Sequence, residues 1–193
     1  MIEKGEIISN IAEMLLNNNK ESCLDIISSS YPHNPVNINK RAFSLSEKMT
    51  QFIKDGFIDR YTGEKLVNPG ILKVISFYFP DKFPYHPHGK MSHSHIAYWE
   101  LIPSIDHIFP VARGGNNDPD NWITTSMKNN LIKNNYTIEE INWKIHPKGN
   151  IEEWDGLTNT LIKIVENNTA LQADNYINQW YKISKKLIFW SKP

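Results

Sequence analysis

Cysteine is almost missing from this chain of 193 residues, which contains only one, Cys23. A single cysteine excludes an intramolecular disulfide, and it excludes the zinc sites that are built from pairs of cysteines. A chain without disulfides is typical of a reducing compartment. We therefore expect a cytoplasmic protein, and a purely structural metal protein is disfavoured.

Net charge and long apolar runs are missing as well. The 21 Lys and Arg residues balance the 21 Asp and Glu residues, so the formal net charge is zero. This balance weighs against a protein that coats nucleic acid by bulk charge, and it leaves room for a local basic groove. No apolar run is long enough to cross a bilayer, and the first residues do not form a secretory signal. We expect a soluble protein with no membrane partner.

The segment 105–133 carries the most informative pattern of the chain. A short predicted strand places an acid beside a histidine at Asp106-His107, and Gly114-Gly115 then turns the chain. A second predicted strand begins at Asn121 and is rich in β-branched residues. Ser126, or Thr125 before it, can cap a helix that runs to residue 133. The predicted order is strand, loop, strand and helix.

The side chains of this segment fit a metal-assisted hydrolase. Asp106 and Asn130 offer hard oxygen ligands, which suit one Mg²⁺ or Mn²⁺ ion better than a closed zinc site. His107 has a reference pKa near neutrality, so it can take a proton from water. Adjacent strand residues point to opposite faces, so Asp106 and His107 can share a site only at a strand end. Pro110 indicates such an end.

The pattern resembles the HNH endonucleases, which have the ββα-metal fold. Fourteen positions separate His107 from Asn121, and nine separate Asn121 from Asn130, as in that family. The resemblance covers roughly residues 56–135 and rests on these positions together: Asp106, His107, Pro110, Gly114, Gly115, Asn121 and Asn130. It implies a metal-dependent endonuclease that hydrolyses phosphodiester bonds in DNA.

The resemblance also implies roles for the motif residues. His107 is the general base, Asp106 and Asn130 hold one divalent ion, and Asn121 braces the loop that orients His107. Lys133 matches a basic position that often follows the third motif residue. By analogy with the family, the biological role is restriction or defence against foreign DNA. The alternative is a non-catalytic DNA-binding module with a relic of the motif, and the intact Asp106, His107 and Asn130 argue against it.

Three residues outside the metal site are candidates for substrate binding. Arg113, beside the Gly-Gly loop, and Lys133 are expected to contact the phosphates that flank the scissile bond. His95 precedes an apolar segment, 96–99, that is interpreted as a strand leading to Asp106, so it can support the site or touch the substrate. Double-strand cleavage requires two active sites or two visits, which is compatible with a homodimer.

The chain departs from the family at the structural zinc. Many family members carry two cysteine pairs around the hairpin, and these would fall near Asp59 and Thr62 and on Ser126 and Asn129. None of these positions is cysteine, so we expect no structural zinc and infer that packing holds the hairpin. A separate group, His86, His88, His93 and His95, is either a metal site or a partly buried loop over the active-site hairpin.

The predicted fold class is α+β, with a small ββα-metal core surrounded by N- and C-terminal helices. The predicted divisions are a helical extension over 1–55, a nuclease core over 56–135 with its motif at 104–134, and a packed helical extension over 136–193. A linker or surface loop is expected over 28–40 and a hairpin over 56–66, while 71–79 fits a buried helix or a strand. Helices are predicted at 6–17, 44–54, 137–143, from 152 onward and at 171–187.

Overall fold

The computed structural model describes residues 3–33 and 42–188, and it is a mixed helix and sheet structure. The chain divides into two compact units between residues 37 and 38. The sequence predicted the first boundary at residue 55, but the helix over 45–54 belongs to the second unit. Among the described residues, no helix is long and apolar enough to span a membrane.

The first unit is a pair of helices, α1 (Lys4–Leu16) and α2 (Lys20–Ser30). Buried Ile7, Ile11 and Cys23 form its small apolar cluster, and α1 matches the predicted helix over 6–17. The predicted linker over 28–40 is corrected at its start, because residues 28–30 form the last turn of α2. Residues 34–40 of that linker lie outside the described part of the chain.

The second unit contains the remaining regular elements. They are α3 (Leu45–Lys54), α4 (Pro69–Tyr78), α5 (Ala97–Glu100), β1 (Pro103–His107), β2 (Trp122–Ser126), α6 (Met127–Lys133), α7 (Thr158–Asn167) and α8 (Asn175–Ile188). Ser44 and Glu47 form a capping box at the start of α3, which corresponds to the helix predicted over 44–54. Asn68 caps α4 and Pro69 occupies its first turn, which resolves the ambiguous segment 71–79 as a helix.

Helices α3, α4, α7 and α8 enclose the main apolar core. Phe52 of α3, Leu161 of α7 and Ile177 of α8 are all completely or nearly completely buried there. Trp180 stacks on Phe52 with ring centroids 6.3 Å apart, and Tyr181 of α8 belongs to the same core cluster. This core supports one side of the β1–β2 ribbon through Ile105.

The predicted strand, loop, strand and helix are present. Strands β1 and β2 pair in antiparallel fashion, with Ile105 opposite Thr124 and His107 opposite Trp122. The Ser126 side chain accepts a hydrogen bond from the backbone N–H of Asn129 and so caps α6, which follows β2 directly. The order and the cap agree with the sequence prediction.

Three predicted elements differ from the structure. Segment 96–99 was interpreted as a strand, but it forms the single helical turn α5, in which the His95 carbonyl accepts from the Tyr98 N–H. Thr137 and Glu140 form the reciprocal bonds of a capping box, yet no helix follows, because Asn142 with φ 53° ends the turn. The helix predicted from 152 begins only at Thr158, after Leu157 with φ 61°.

Candidate active site

The face of the ribbon that α6 covers gathers the predicted metal ligands. Ser104 and Asp106 lie two residues apart on β1 and therefore share a face. Asn130 Nδ2 donates to Ser104 Oγ at 2.8 Å and to the Ile105 carbonyl oxygen at 3.2 Å. Lys133, one helical turn further along α6, faces Asp106. The ββα unit thus brings Asp106 and Asn130 to one surface.

Asp106 uses only one of its two carboxylate oxygens in contacts with the protein. Oδ2 accepts from the Tyr61 hydroxyl at 2.7 Å and lies 2.9 Å from Lys133 Nζ. Within the described chain, Oδ1 receives no hydrogen bond. Burial and the Asp106 charge raise the pKa of Tyr61, so its hydroxyl remains a neutral donor. The carboxylate is held in place from one side and is open on the other.

The predicted role of Lys133 in phosphate binding is wrong. The sequence suggested a contact with a flanking phosphate, but Lys133 is 0% exposed in the structure. Its ammonium donates to the His107 carbonyl oxygen at 2.8 Å and pairs with Asp106. A buried ammonium with these partners is not accessible to a phosphate, and it instead fixes β1 and α6 together beneath the site.

The donor set fits a hard divalent cation. The amide nitrogen of Asn130 donates to β1, and its Oδ1 has no hydrogen bond within the described residues. The same is true of Oδ1 of Asp106. One carboxylate oxygen and one amide oxygen suit Mg²⁺ or Mn²⁺, with water and phosphate as further ligands. The described residues contain no cluster of three or more His, Cys, Asp or Glu side chains arranged for a metal. A closed, all-protein site is therefore not built there.

His107 lies on the last pair of the ribbon, opposite Trp122. Its Nε2 is 2.7 Å from Asn117 Oδ1, and the same oxygen accepts from the Trp122 indole N–H at 3.3 Å. Because the indole can only donate, Asn117 Oδ1 is an acceptor, and His107 Nε2 carries the proton. This contact leaves the lone pair of the neutral imidazole on Nδ1, the atom that can act as a base.

Asn121 joins the two ends of the loop between the strands. Its Oδ1 accepts from the Phe109 N–H at 2.9 Å, and its Nδ2 donates to the carbonyl oxygens of Phe109 and Asn116 at 2.9 and 2.8 Å. These three bonds close the segment that carries Asn117 over His107. The position is the one that the resemblance assigned to a bracing residue.

Arg113 and His95 lie apart from these groups. Arg113 is partly exposed and pairs with Glu140, so a phosphate contact would require it to exchange this partner. His95 stacks on Phe83 with ring centroids 4.1 Å apart, and its Nδ1 accepts from the Ala97 N–H. No hydrogen bond in the described chain joins His95 to Asp106, His107 or Asn130, so its predicted role in the site gains no support.

Three of the four positions of the absent cysteines, Asp59, Ser126 and Asn129, belong to a buried polar network centred on Asp59. Oδ1 of Asp59 accepts from the Tyr61 N–H and the Thr125 hydroxyl, both at 2.9 Å. Oδ2 accepts from the Ser126 N–H and from Asn129 Nδ2, both at 2.8 Å. We call this set the Asp59 network. It ties the turn at 59–63 to the junction of β2 and α6 through hydrogen bonds to one carboxylate, in addition to packing.

The histidine group is not assembled as a metal site. The rings of His88 and His93 each lie with their centroids 5.7 Å from that of His86, and His95 stacks elsewhere on Phe83. Nδ1 of His86 accepts from the His88 N–H, and His93 Nδ1 bonds the Ser92 hydroxyl. These contacts are those of a loop, one of the two alternatives.

The sequence did not predict several residues of the site. Tyr61 and Asp59 lie far from the motif in sequence, and only the position of Asp59 at an absent cysteine pointed to it. Asn117 stands between two recognised positions, Gly115 and Asn121, in a loop where asparagine is ordinary. Phe43, whose ring centroid is 5.8 Å from that of His107, gave no signal in the sequence.

Comparisons with protein-family models, with characterised proteins and with solved structures give no match to this chain.

Proposed function

We propose that this protein is a metal-dependent endonuclease of the HNH type that hydrolyses phosphodiester bonds in DNA. The observation that carries the proposal is the pair of open oxygens on one face of the ββα unit, Oδ1 of Asp106 and Oδ1 of Asn130. Beside this pair, on the last residues of the ribbon, stands a histidine whose tautomer is set by Asn117.

Each side chain has a defined task in the proposed reaction. Asp106 and Asn130 would hold one Mg²⁺ or Mn²⁺ ion, which when bound stabilises the charge that develops on the phosphate and its leaving oxygen. Nδ1 of His107 takes a proton from the water that attacks phosphorus in line. Tyr61 and Lys133 orient the Asp106 carboxylate from behind. By resemblance to the family, the products carry a 5′ phosphate and a 3′ hydroxyl.

Adjacent strand residues point to opposite faces, and the position of His107 in the last residue pair of the ribbon allows it to share a site with Asp106 all the same. Asp106 and His107 contact different partners, Tyr61 and Lys133 on one side and Asn117 and Phe43 on the other. A phosphate that lies across the end of the ribbon can face both Asp106 and His107, because no further pair of strand residues follows His107 and Trp122. We therefore place the scissile bond at this end, with partly exposed Arg113 on the following turn as a candidate contact.

Plasmid cleavage tests the proposal directly. The purified protein should nick or linearise plasmid DNA when Mg²⁺ or Mn²⁺ is added. His107→Ala should slow cleavage by about 10²–10⁴-fold, the usual contribution of a general base, with unchanged metal binding. His33→Ala, which removes an exposed histidine of the first unit, is the matched control. Near-normal cleavage by His107→Ala would remove His107 from the mechanism, and a wild type that binds DNA without cutting it would favour the relic module.

Chelation separates a catalytic metal from a structural one. EDTA should stop cleavage and leave the thermal unfolding curve unchanged, and the protein as purified should contain less than one zinc ion per chain. The reason is that the Asp59 network, and not a zinc ion, is proposed to hold the hairpin. One tightly bound zinc per chain, lost only on unfolding, would contradict this and would direct attention to His86, His88 and His93.

A further inference from the structure

A cavity of about 440 Å³ lies against the side of β1 that leads into the candidate active site. Its volume falls in the ~300–1,000 Å³ range of pockets that bind small molecules. Pro103, Ser104 and Ile105 of β1 form one wall, and Met127 at the start of α6 adjoins them. None of the proposed catalytic steps uses this cavity.

Aromatic rings dominate the opposite walls of the cavity. Tyr85 lies at the centre of the group, with its ring centroid 5.2 Å from that of Tyr98 and 5.6 Å from that of Tyr176. Trp99 and Trp180 complete the aromatic lining. A group of flat π faces of this kind favours a flat aromatic occupant over an aliphatic one.

Two contacts connect the cavity to the residues proposed for catalysis. Phe43 lines the cavity and places its ring beside the His107 imidazole, with centroids 5.8 Å apart. Ser104 lines the cavity and accepts a hydrogen bond from Asn130 Nδ2 at 2.8 Å. One lining residue, Phe43, therefore contacts the proposed base, and another, Ser104, contacts a proposed metal ligand.

The polar groups of the lining suit a nucleotide. Lys48 contributes a cation, and no Asp or Glu lies among the described lining residues. Ser104 belongs to the lining, and its hydroxyl oxygen accepts from Asn130 Nδ2, so its hydroxyl proton can be donated to an occupant. Nucleobase edges carry carbonyl oxygens and ring nitrogens that can accept such a bond.

We propose that this cavity receives a nucleobase turned out of the DNA stack next to the scissile phosphate. The proposal rests on the proposed nuclease function, and it adds that the substrate is read through an unpaired base and not through its phosphates alone. Enzymes that accept an extruded base hold it by stacking between aromatic side chains and by hydrogen bonds to its edge. Tyr85, Trp99 and Ser104 would supply these contacts.

Binding to DNA with and without bases tests the cavity separately from the chemistry. A His107→Ala protein, which should not cut, is titrated with a short labelled single strand and with the same strand carrying abasic residues at alternate positions. Both strands present the same phosphates, so a difference in affinity reports the bases. We expect the complete strand to bind roughly 5- to 150-fold more tightly, the range for one stacked base.

Variants of the lining locate the effect. Tyr85→Ala and Trp99→Ala should each reduce the affinity for the complete strand towards that for the abasic strand. Tyr78→Ala removes an exposed tyrosine that does not line the cavity, and it should preserve the preference. Equal binding of the two strands by the parent protein, or a preference that survives both lining substitutions, would overturn the proposal.

A measurement on the unmutated chain keeps the proposal testable if the lining variants fail to fold. Free deoxyadenosine should quench tryptophan fluorescence saturably and compete with the complete strand, and the absence of saturable quenching would overturn the proposal. The two proposals fail separately. A protein that cuts plasmid but ignores the bases retains the nuclease function alone, whereas one that prefers bases but never cuts retains the cavity alone.

Discussion

Asp59 and Asp106 are two buried carboxylates that serve the same ββα unit in different ways. Asp59 is 0% exposed and has two hydrogen-bond donors on each oxygen. Asp106 is 7% exposed and has donors on Oδ2 only, the Tyr61 hydroxyl and the Lys133 ammonium. The first carboxylate has no capacity left for a ligand, while the second keeps one oxygen open.

Under the proposed function, this difference separates a structural role from a metal-binding one. A carboxylate whose oxygens are all occupied by buried N–H and O–H groups joins the elements that carry those groups. A carboxylate that is fixed through one oxygen is oriented and still able to bind a cation with the other. Residue type alone does not distinguish the two, since both are buried aspartates.

The largest expected effect comes from the same substitution made at both positions. In Asp106→Asn the remaining oxygen can accept from Tyr61 and Lys133, so the new amide nitrogen replaces the open Oδ1. Cleavage should fall by more than about 100-fold, beyond the loss typical of groups that only support a ligand. Asp59→Asn, assayed at a temperature where it is folded, should stay within about tenfold of wild type. Equal losses in plasmid assays would erase the distinction.

Lys133 complicates that comparison and also provides its control. Asp106→Asn leaves the buried ammonium without its counter-charge, which is destabilising. Adding Lys133→Met removes the unpaired charge, so the double variant should regain thermal stability without regaining cleavage. If the double variant cuts DNA, the loss in Asp106→Asn reflected folding and not the metal site.

The second prediction concerns stability. Asp59→Asn turns an amide nitrogen towards two of the four donors that the carboxylate accepts, and buried donors without acceptors cost about 1–3 kcal/mol each. Urea unfolding should therefore show a decrease of about 2–6 kcal/mol in the free energy of unfolding. Asp120→Asn changes an exposed aspartate of the loop and serves as the reference. An unchanged urea midpoint for Asp59→Asn would show that packing alone holds the hairpin.

The sequence was sufficient for the features that depend on local chemistry. β-Branched residues in 123–125, the capping Ser126 and the helical spacing after it predicted β2 and α6, and the structure has both. The helical pattern over 44–54, with Ser44 or Ser46 as its cap, predicted α3 in the same way, and the structure has Ser44 as the cap. These features depend on residues that are neighbours in sequence, and there the helix and strand propensities, the capping residues and the hydrophobic periodicity all indicate the same element.

Features that depend on tertiary partners were not predictable from the sequence. Lys133 looked like an exposed basic residue, and only the fold places its ammonium between Asp106 and the His107 carbonyl. Segment 96–99 is too short for its period to distinguish a strand from one helical turn. Tyr61 and Asn117 reach the site through the hairpin and the loop, whose geometry no local pattern encodes.

A third, smaller effect is expected at Asn117. Asn117→Ala removes the acceptor that keeps the proton on His107 Nε2, and cleavage should fall by about tenfold, less than the loss of the base itself. Asn117→Asp keeps an acceptor oxygen at that place and should recover most of the rate. Asn116→Ala, one residue away, should cut normally. Failure of Asn117→Asp to recover activity would indicate a role in loop packing instead.

The smallest effect is expected for the neutral ligand, Asn130. Removing its amide takes away a dipole, so Asn130→Ala should weaken Mn²⁺ binding by about threefold to tenfold, equivalent to the ~0.5–1.5 kcal/mol of a neutral polar contact. Asp106→Asn removes a full charge and should weaken binding more, although the nearby Lys133 ammonium reduces the difference. Calorimetric titration of Mn²⁺ in a His107→Ala background, with DNA present, gives the ranking.

Asn130→Asp tests this ranking further, because it adds a negative charge and also changes the hydrogen bonds that hold the side chain. Asn130 Nδ2 donates to the Ile105 carbonyl oxygen and to Ser104 Oγ. A carboxylate oxygen in that place cannot donate to the carbonyl, so the side chain must turn away from β1. We therefore expect Asn130→Asp to bind Mn²⁺ at least as tightly as wild type and still to cleave poorly, since a more neutralised cation polarises phosphate less. If Asp106→Asn instead binds Mn²⁺ as tightly as its parent, Asp106 is not a ligand, and its open oxygen has another use.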